Sequence, residues 1–253
     1  MVYQLKETER AAKLFEGWEE TLIYSCLQRV MGKIFVTNPE QPLSAYAYAG
    51  CFAFYAGEPC RELVESKPEG FVIMVPQNDA WARLIEDCWQ DHKKYTRYAI
   101  KKDTIFDKAR LAELTGTLPE GYTLHDIDGE IYDLCLKKPF STDFVSVFGS
   151  KESYLEKGLG VVALKDGEIV SGASSYTRYN EGIELEVGTK EQERRKGLAA
   201  ACCAALILRC LERGLYPSWD AHNMNSVRLA QKLGYELSHE YPAYEVSYDL
   251  KAY

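Results

Sequence analysis

The chain has 253 residues, enough for one large domain or two modest ones with real cores. Apolar residues make up 46% and charged residues 27%, an ordinary globular balance. The formal net charge of −8 argues against broad nucleic-acid binding, which needs a basic surface to neutralise phosphates.

The N-terminus alternates charged with apolar residues and has no signal-like apolar core, and no stretch reaches the apolar length of a membrane span. Neither secretion nor membrane insertion is expected. Helical sequence runs over about 4–30. Ala45-Tyr46-Ala47-Tyr48-Ala49 and Phe52-Ala53-Phe54-Tyr55 read as strands from their aromatic content. Residues 71–75 form a short apolar strand ended by Pro76. Asn78 and Asp79 are caps for a helix carrying Trp81, Leu84, Ile85 and Cys88, and 92–101 is a polar strand. The aromatics Tyr46, Tyr48, Phe52, Phe54 and Tyr55 are read as core, with the lining of a cleft as the alternative.

Gly116, Pro119 and Gly121 interrupt both helix and strand, and a domain boundary is placed there, giving units 1–119 and 120–253. No internal repeat and no low-complexity tract stands out. Beyond the boundary the alternation is clearer. A strand at 122–125 is followed by a helix capped by Asp126 or Asp128, and Ser150 opens a helix over 151–157. Strands follow at 160–164, 169–178 and 183–189, the first two joined by Asp166-Gly167, a hairpin turn signal. Gly158-Leu159-Gly160 precedes a strand and reads as a turn. A long helix spans 197–213 and stops at Gly214. It is apolar nearly all round, as a buried helix is, so Cys202 and Cys203 read as packing. A strand at 216–220, a helix at 226–233 and strands near 235–239 and 244–249 complete the chain. The whole is an α/β chain with mixed sheets.

The eight cysteines include no CxxC pair and three lie in that Ala/Leu-rich helix, which fits reduced thiols and a cytoplasmic setting. The four histidines show no metal spacing, and no metal is expected.

The segment Glu191-Gln192-Glu193-Arg194-Arg195-Lys196-Gly197-Leu198-Ala199 lies between a strand and the long helix. Free amide groups at a helix start, the helix dipole, two small residues and three cations make an anion site. A solvated basic surface is the plainer alternative. There is no GxxxxGK[ST] and no GxGxxG after a strand, so a nucleotide fold is not indicated. Downstream stands Asn223-Met224-Asn225-Ser226-Val227-Arg228-Leu229-Ala230-Gln231-Lys232-Leu233-Gly234-Tyr235.

Here the sequence resembles the GNAT superfamily of N-acetyltransferases. Its pyrophosphate loop, Q/R-x-x-G-x-G/A, is matched by Arg194, Gly197 and Ala199, and the Asn223–Tyr235 segment resembles the family's later short helix. The likeness covers roughly residues 120–250 and implies a GNAT fold there, with an extra N-terminal α/β half that shapes the acceptor site. It implies acetyl-CoA as cosubstrate and an amine acceptor of a small molecule or peptide as partner. A homodimer is compatible with this. Arg194, Arg195, Lys196, Gly197, Leu198 and Ala199 would hold the pyrophosphate. Val187, Gly188 and Thr189 would run along the pantetheine arm, and Asn223 with Ser226 would meet the cofactor nearby.

In such a reaction a neutral amine attacks the thioester, and a base or a water relay takes its proton. Glu184 and Glu186 alternate with Ile183, Leu185 and Val187, so both carboxylates share one face, and two like charges there raise the pKa of one. They are the candidate bases; a polar strand face is the alternative. The family often carries a Tyr seven residues after the Asn as acid for the leaving thiolate, and that position is Ala230. Tyr176 and Tyr179 are substitutes, and Tyr235 reads as core. The departure keeps open a second function, a non-catalytic acyl-CoA-binding sensor or scaffold.

Overall fold

The structure is a computed structural model and describes residues 1–68 and 70–247. In chain order it contains β1 (Tyr3–Leu5), a 3-10 helix (Thr8–Phe15), α1 (Thr21–Leu27), β2 (Lys33–Val36), β3 (Ser44–Ala49), β4 (Phe52–Gly57), α2 (Arg61–Glu65), β5 (Phe71–Pro76), α3 (Asp79–Cys88) and β6 (Lys93–Ile100). There follow α4 (Lys108–Thr115), β7 (Tyr122–Asp126), α5 (Gly129–Cys135), α6 (Pro139–Thr142), α7 (Lys151–Lys157), β8 (Gly160–Lys165), β9 (Glu168–Tyr179) and β10 (Gly182–Thr189). The chain continues with α8 (Leu198–Glu212), β11 (Tyr216–Ser218), β12 (Asp220–Ala221), α9 (Met224–Lys232) and β13 (Leu237–Ser247).

Two compact units emerge. One is Met1–Arg97 with the described residues from Glu240 on; the other is Tyr98–His239. The division falls after Arg97, not at 119/120. The Gly-Pro punctuation at 116–121 ends α4, whose Leu111 is buried in the second unit's core. The helices expected around 4–30 are a 3-10 helix and α1, preceded by the short strand β1. The two strands expected near 235–239 and 244–249 are one, through Pro242; residues 248 and 249 lie outside the described residues.

In the first unit β1, β2, β3 and β4 pair antiparallel in sequence order, β5 joins β4 in parallel, and β13 pairs antiparallel with β5. Alternation on β3 and β4 turns Tyr46 and Tyr55 inward. Their rings lie 5.3 Å apart and Tyr55 is 5.4 Å from Trp81, whose indole N–H donates to Gly57 O at 2.9 Å. Tyr46, Phe54 and Tyr55 are therefore core, whereas Tyr48 and Phe52 are half-buried.

The second unit is built on a five-stranded sheet in the order β11-β10-β9-β8-β7. Asp166 and Gly167 both take positive φ (51° and 77°) and close the β8–β9 hairpin. One sheet face packs on α8, which contributes the fully buried Cys203, Ala204, Leu206 and Ile207. The other face meets α6 and α7. Gly172 lies under the Phe144 ring, and Tyr154 Oη is 2.8 Å from Ser174 Oγ, which itself donates to Phe144 O at 2.6 Å.

A repeat invisible in composition appears in the topology. In the first unit an antiparallel strand pair (β3–β4) runs through a helix (α2) into a parallel partner (β5), then a helix (α3) capped by Asn78. In the second, β9–β10 runs through α8 into the parallel β11, and α9 is capped by Asn223. Arg83-Leu84 and Arg228-Leu229 stand at the same offset from the two asparagines.

Candidate active site

The candidate site begins on β10. Ile183, Leu185 and Val187 pack into the α8 core, which turns Glu184, Glu186 and Gly188 to the opposite face. Glu184 is 4% exposed and Glu186 is half-buried. Beside Gly188 the face is walled by Phe140 and Phe144; a Cβ there would meet their rings at 3.3 and 3.2 Å.

The two edges of β10 differ. Along β9 the ladder is continuous from Gly182 to Thr189, with a register shift between Glu184 and Leu185 that leaves Tyr176 between the paired Ser175 and Thr177. Along β11 the parallel ladder covers Gly182, Ile183 and Glu184 alone. From Leu185 onward no strand among the described residues is laddered to that edge. The bulge and the end of the ladder coincide, as bulges next to sites that re-aim side chains do. Thr177, the register partner of Glu184, has its Oγ1 buried without a hydrogen-bond partner among the described residues. The far end of the strand is fixed: Ser171 Oγ donates to Gly188 O at 3.0 Å and lies 2.8 Å from Thr189 Oγ1, and Lys190 N–H donates to Val170 O at 2.9 Å.

Beyond β10 a 3-10 turn (Glu191–Glu193) leads to Arg194 in extended conformation, then to Arg195 at φ 65° and Gly197 at φ 83°, the position before α8. Both are left-handed, a conformation glycine adopts freely and other residues seldom. No side chain caps α8 and no acidic residue lies in its first turn. By contrast Asn78, Asp107, Asp128, Ser150 and Asn223 each cap their helices. The first amides of α8 thus have no intrahelical acceptor, beside the exposed Arg194 and Arg195. Lys196 points elsewhere: its Nζ is 2.7 Å from Glu193 Oε2 and 3.0 Å from Tyr122 Oη. Hydrogen bonds from Lys196 and then Tyr122 hold the Glu193 carboxyl down to about 2.

The carried-over residues of α9 have structural partners. Asn223 Oδ1 accepts from the N–H groups of Asn225 (3.0 Å) and Ser226 (3.1 Å), and Ser226 Oγ accepts from Trp219 Nε1 at 3.0 Å. Ala230 is fully buried among core residues. Tyr179 is buried against Gly182 at the opposite end of β10 from Thr189, and Tyr235 is buried with its hydroxyl donating to Pro217 O at 2.6 Å. Burial pushes the Cys202 thiol up to about 12 and raises that of Cys203 well above its ordinary value, so neither is a nucleophile at neutral pH. Sequence reasoning missed the bulge at Tyr176 and the Phe140/Phe144 wall. The latter follows Pro139, a helix-start signal. Among the described residues no group of His, Cys, Asp or Glu is arranged to hold a metal ion, and no helix is long and apolar enough to cross a membrane.

The GNAT acetyltransferase family model matches residues 12–244. The uncharacterized N-acetyltransferase YdfB of Bacillus subtilis (strain 168) is 29% identical over 174 residues, which are 66% of this chain and 63% of that protein, so the chain spans less than two thirds of this curated relative. A GCN5-related N-acetyltransferase-like protein from Streptococcus suis 89/1591, solved at 1.80 Å, is 48% identical with TM-score 0.90 over 95% of this chain and 98% of that one. A tandem GNAT protein from the clavulanic acid biosynthesis pathway shares the fold at 10% identity, with TM-score 0.55 over 98% of each chain. The match extends through the first unit as well as the second, and the chain belongs to the GNAT acetyltransferase family.

Proposed function

We propose that this chain moves an acetyl group from acetyl-CoA to a primary amine of a small molecule or peptide. The observation that carries the reading is the path from β10 to α8. The strand loses its β11 ladder at Glu184 and ends five residues later at Thr189, and the chain then turns through the left-handed Arg195 and Gly197 into an uncapped helix start. The residues fit the cosubstrate. The backbone at Val187, Gly188 and Thr189 lines the edge on which an amide-bearing pantetheine arm adds hydrogen bonds as a strand would. The amides of Leu198 and Ala199, the bare Gly197 and the guanidinium groups of Arg194 and Arg195 suit a pyrophosphate. Lys196 braces the same loop through Glu193 and Tyr122, and Asn223 and Ser226, whose polar atoms already cap α9 and accept from Trp219, are the α9 residues put forward to border the arm.

When bound, acetyl-CoA supplies an acyl carbon activated as a thioester. Glu184 or Glu186 takes the proton that the amine nitrogen sheds as the C–N bond forms and the C–S bond breaks with its electron pair on sulfur. The buried Thr177 hydroxyl supplies a donor beside Glu184. A β10 backbone N–H past the β11 ladder would donate to the carbonyl oxygen, where negative charge develops.

The test is incubation with acetyl-CoA and a panel of primary amines, read by release of CoA thiol and by mass of the acetylated product. At least one amine is acetylated, and Glu184→Gln or Glu186→Gln lowers kcat about a hundredfold while acetyl-CoA binding is kept. Binding of acetyl-CoA with no amine acetylated would support the non-catalytic acyl-CoA-binding sensor instead.

A further inference from the structure

A carboxylate inside an anion-binding loop repels the anion, so Glu193 needs a reason to be there. Its side chain is the centre of a knot. Lys196 Nζ and Tyr122 Oη both reach Oε2, at 2.7 and 2.5 Å, and Lys165 Nζ lies 3.7 Å from Oε1. Tyr122 opens β7 and Lys165 ends β8, and the two are register partners. Both ammonium groups also lie over the Tyr122 ring, at 5.3 Å for Lys165 and 5.7 Å for Lys196. Glu193 thereby ties the loop to the end of a regular strand pair. The tie straddles the left-handed Arg195 and ends next to the left-handed Gly197, since Glu193 precedes Arg195 and Lys196 stands between Arg195 and Gly197.

Resting on the acetyl-CoA reading above, we propose that Glu193 is a positioning residue for the pyrophosphate loop. By holding Lys196 against Tyr122 it fixes the Arg195–Gly197 turn, and it leaves Arg194, Arg195 and the α8 amides as the groups that meet the anion. Lys196 then serves the loop's shape rather than the phosphates. Hydrogen bonds from Lys196 and Tyr122 keep this carboxyl ionised throughout the neutral range.

The proposal makes a prediction of sign. Electrostatics alone says that removing a negative charge next to a pyrophosphate tightens binding. A clamp says the opposite, because a disordered loop must be ordered by the ligand. Acetyl-CoA is titrated by calorimetry into the unaltered chain, Glu193→Gln, Lys196→Met and the double variant, at several salt concentrations. Each single variant is expected to bind about tenfold more weakly, and the double no more weakly than either single, as members of one clamp do. The salt dependence of binding is expected to persist in Lys196→Met and to flatten in Arg194→Met, because a group that meets no phosphate contributes little to it. Tighter or unchanged binding by Glu193→Gln, additive losses in the double variant, or a flattened salt dependence in Lys196→Met would overturn the clamp while leaving the acetyl-CoA reading intact. Failure of the unaltered chain to bind acetyl-CoA would overturn the parent reading, and the clamp with it.

Discussion

Arg195 and Gly197 show how single residues set this site. Two left-handed conformations in four residues turn the chain into α8, which starts without a side-chain cap, and Gly197 has no neighbour within 4 Å of where a Cβ would stand. Space is open there, and only the backbone conformation asks for glycine. Ala230 carries the opposite lesson. Counting along the family motif makes it the place of an acid for the leaving thiolate, yet it is sealed within the second unit's core. A tyrosine there has nowhere to go. Ala230→Tyr is therefore expected to lower stability by about 1–3 kcal/mol through overpacking and to bring no gain in turnover. Chemical denaturation and the thiol-release assay check this together. A stable variant with faster release would show that the position does face the reacting groups.

At the scale of elements, what was legible in the sequence had a local cause. Asn78, Asp128 and Ser150 cap the helices they were expected to cap, and Asp166-Gly167 makes the expected hairpin. Gly214 follows the end of α8 at φ 67°. The turn into α8 was legible for the same reason, since basic residues, glycine and a helix start lie together in sequence. What escaped depends on partners distant in sequence. The stop of the β10–β11 ladder at Glu184 and the bulge at Tyr176 are properties of strand pairs. The capture of Lys196 involves Tyr122, far upstream. Asp107, which caps α4 ahead of the buried Leu111, was a local signal that went unread.

The same loop predicts a pH effect. The Glu193 carboxyl falls from an ordinary 4.5 to about 2 in the folded chain. A group depressed on folding stabilises the fold above its unfolded value and loses that effect as the pH falls through its folded value. The unaltered chain should therefore lose melting temperature between about pH 4.5 and 2 more steeply than Glu193→Gln. Parallel acid limbs would show that the knot does not persist in solution.

Across the whole molecule, the two units repeat one topology with different detail. In the first, β4 and β5 stay paired from Phe52 to Tyr55, and the crossover helix α2 has five residues, entered through Glu58 and Pro59. In the second, β11 accompanies only the start of β10, and the fifteen-residue α8 is entered through Arg194, Arg195 and Lys196. The features that suit a cofactor are thus in the second copy, and one acetyl-CoA per chain is expected. Calorimetric titration of acetyl-CoA into the intact chain and into Gly197→Glu tests this most directly. The substitution strains a left-handed backbone and sets a carboxylate over the α8 amides. The expected result is one equivalent bound by the unaltered chain and affinity reduced at least about a hundredfold in the variant. Equal binding by the two proteins, or two equivalents per chain, would contradict the site described here, and no binding by the unaltered chain would contradict its function.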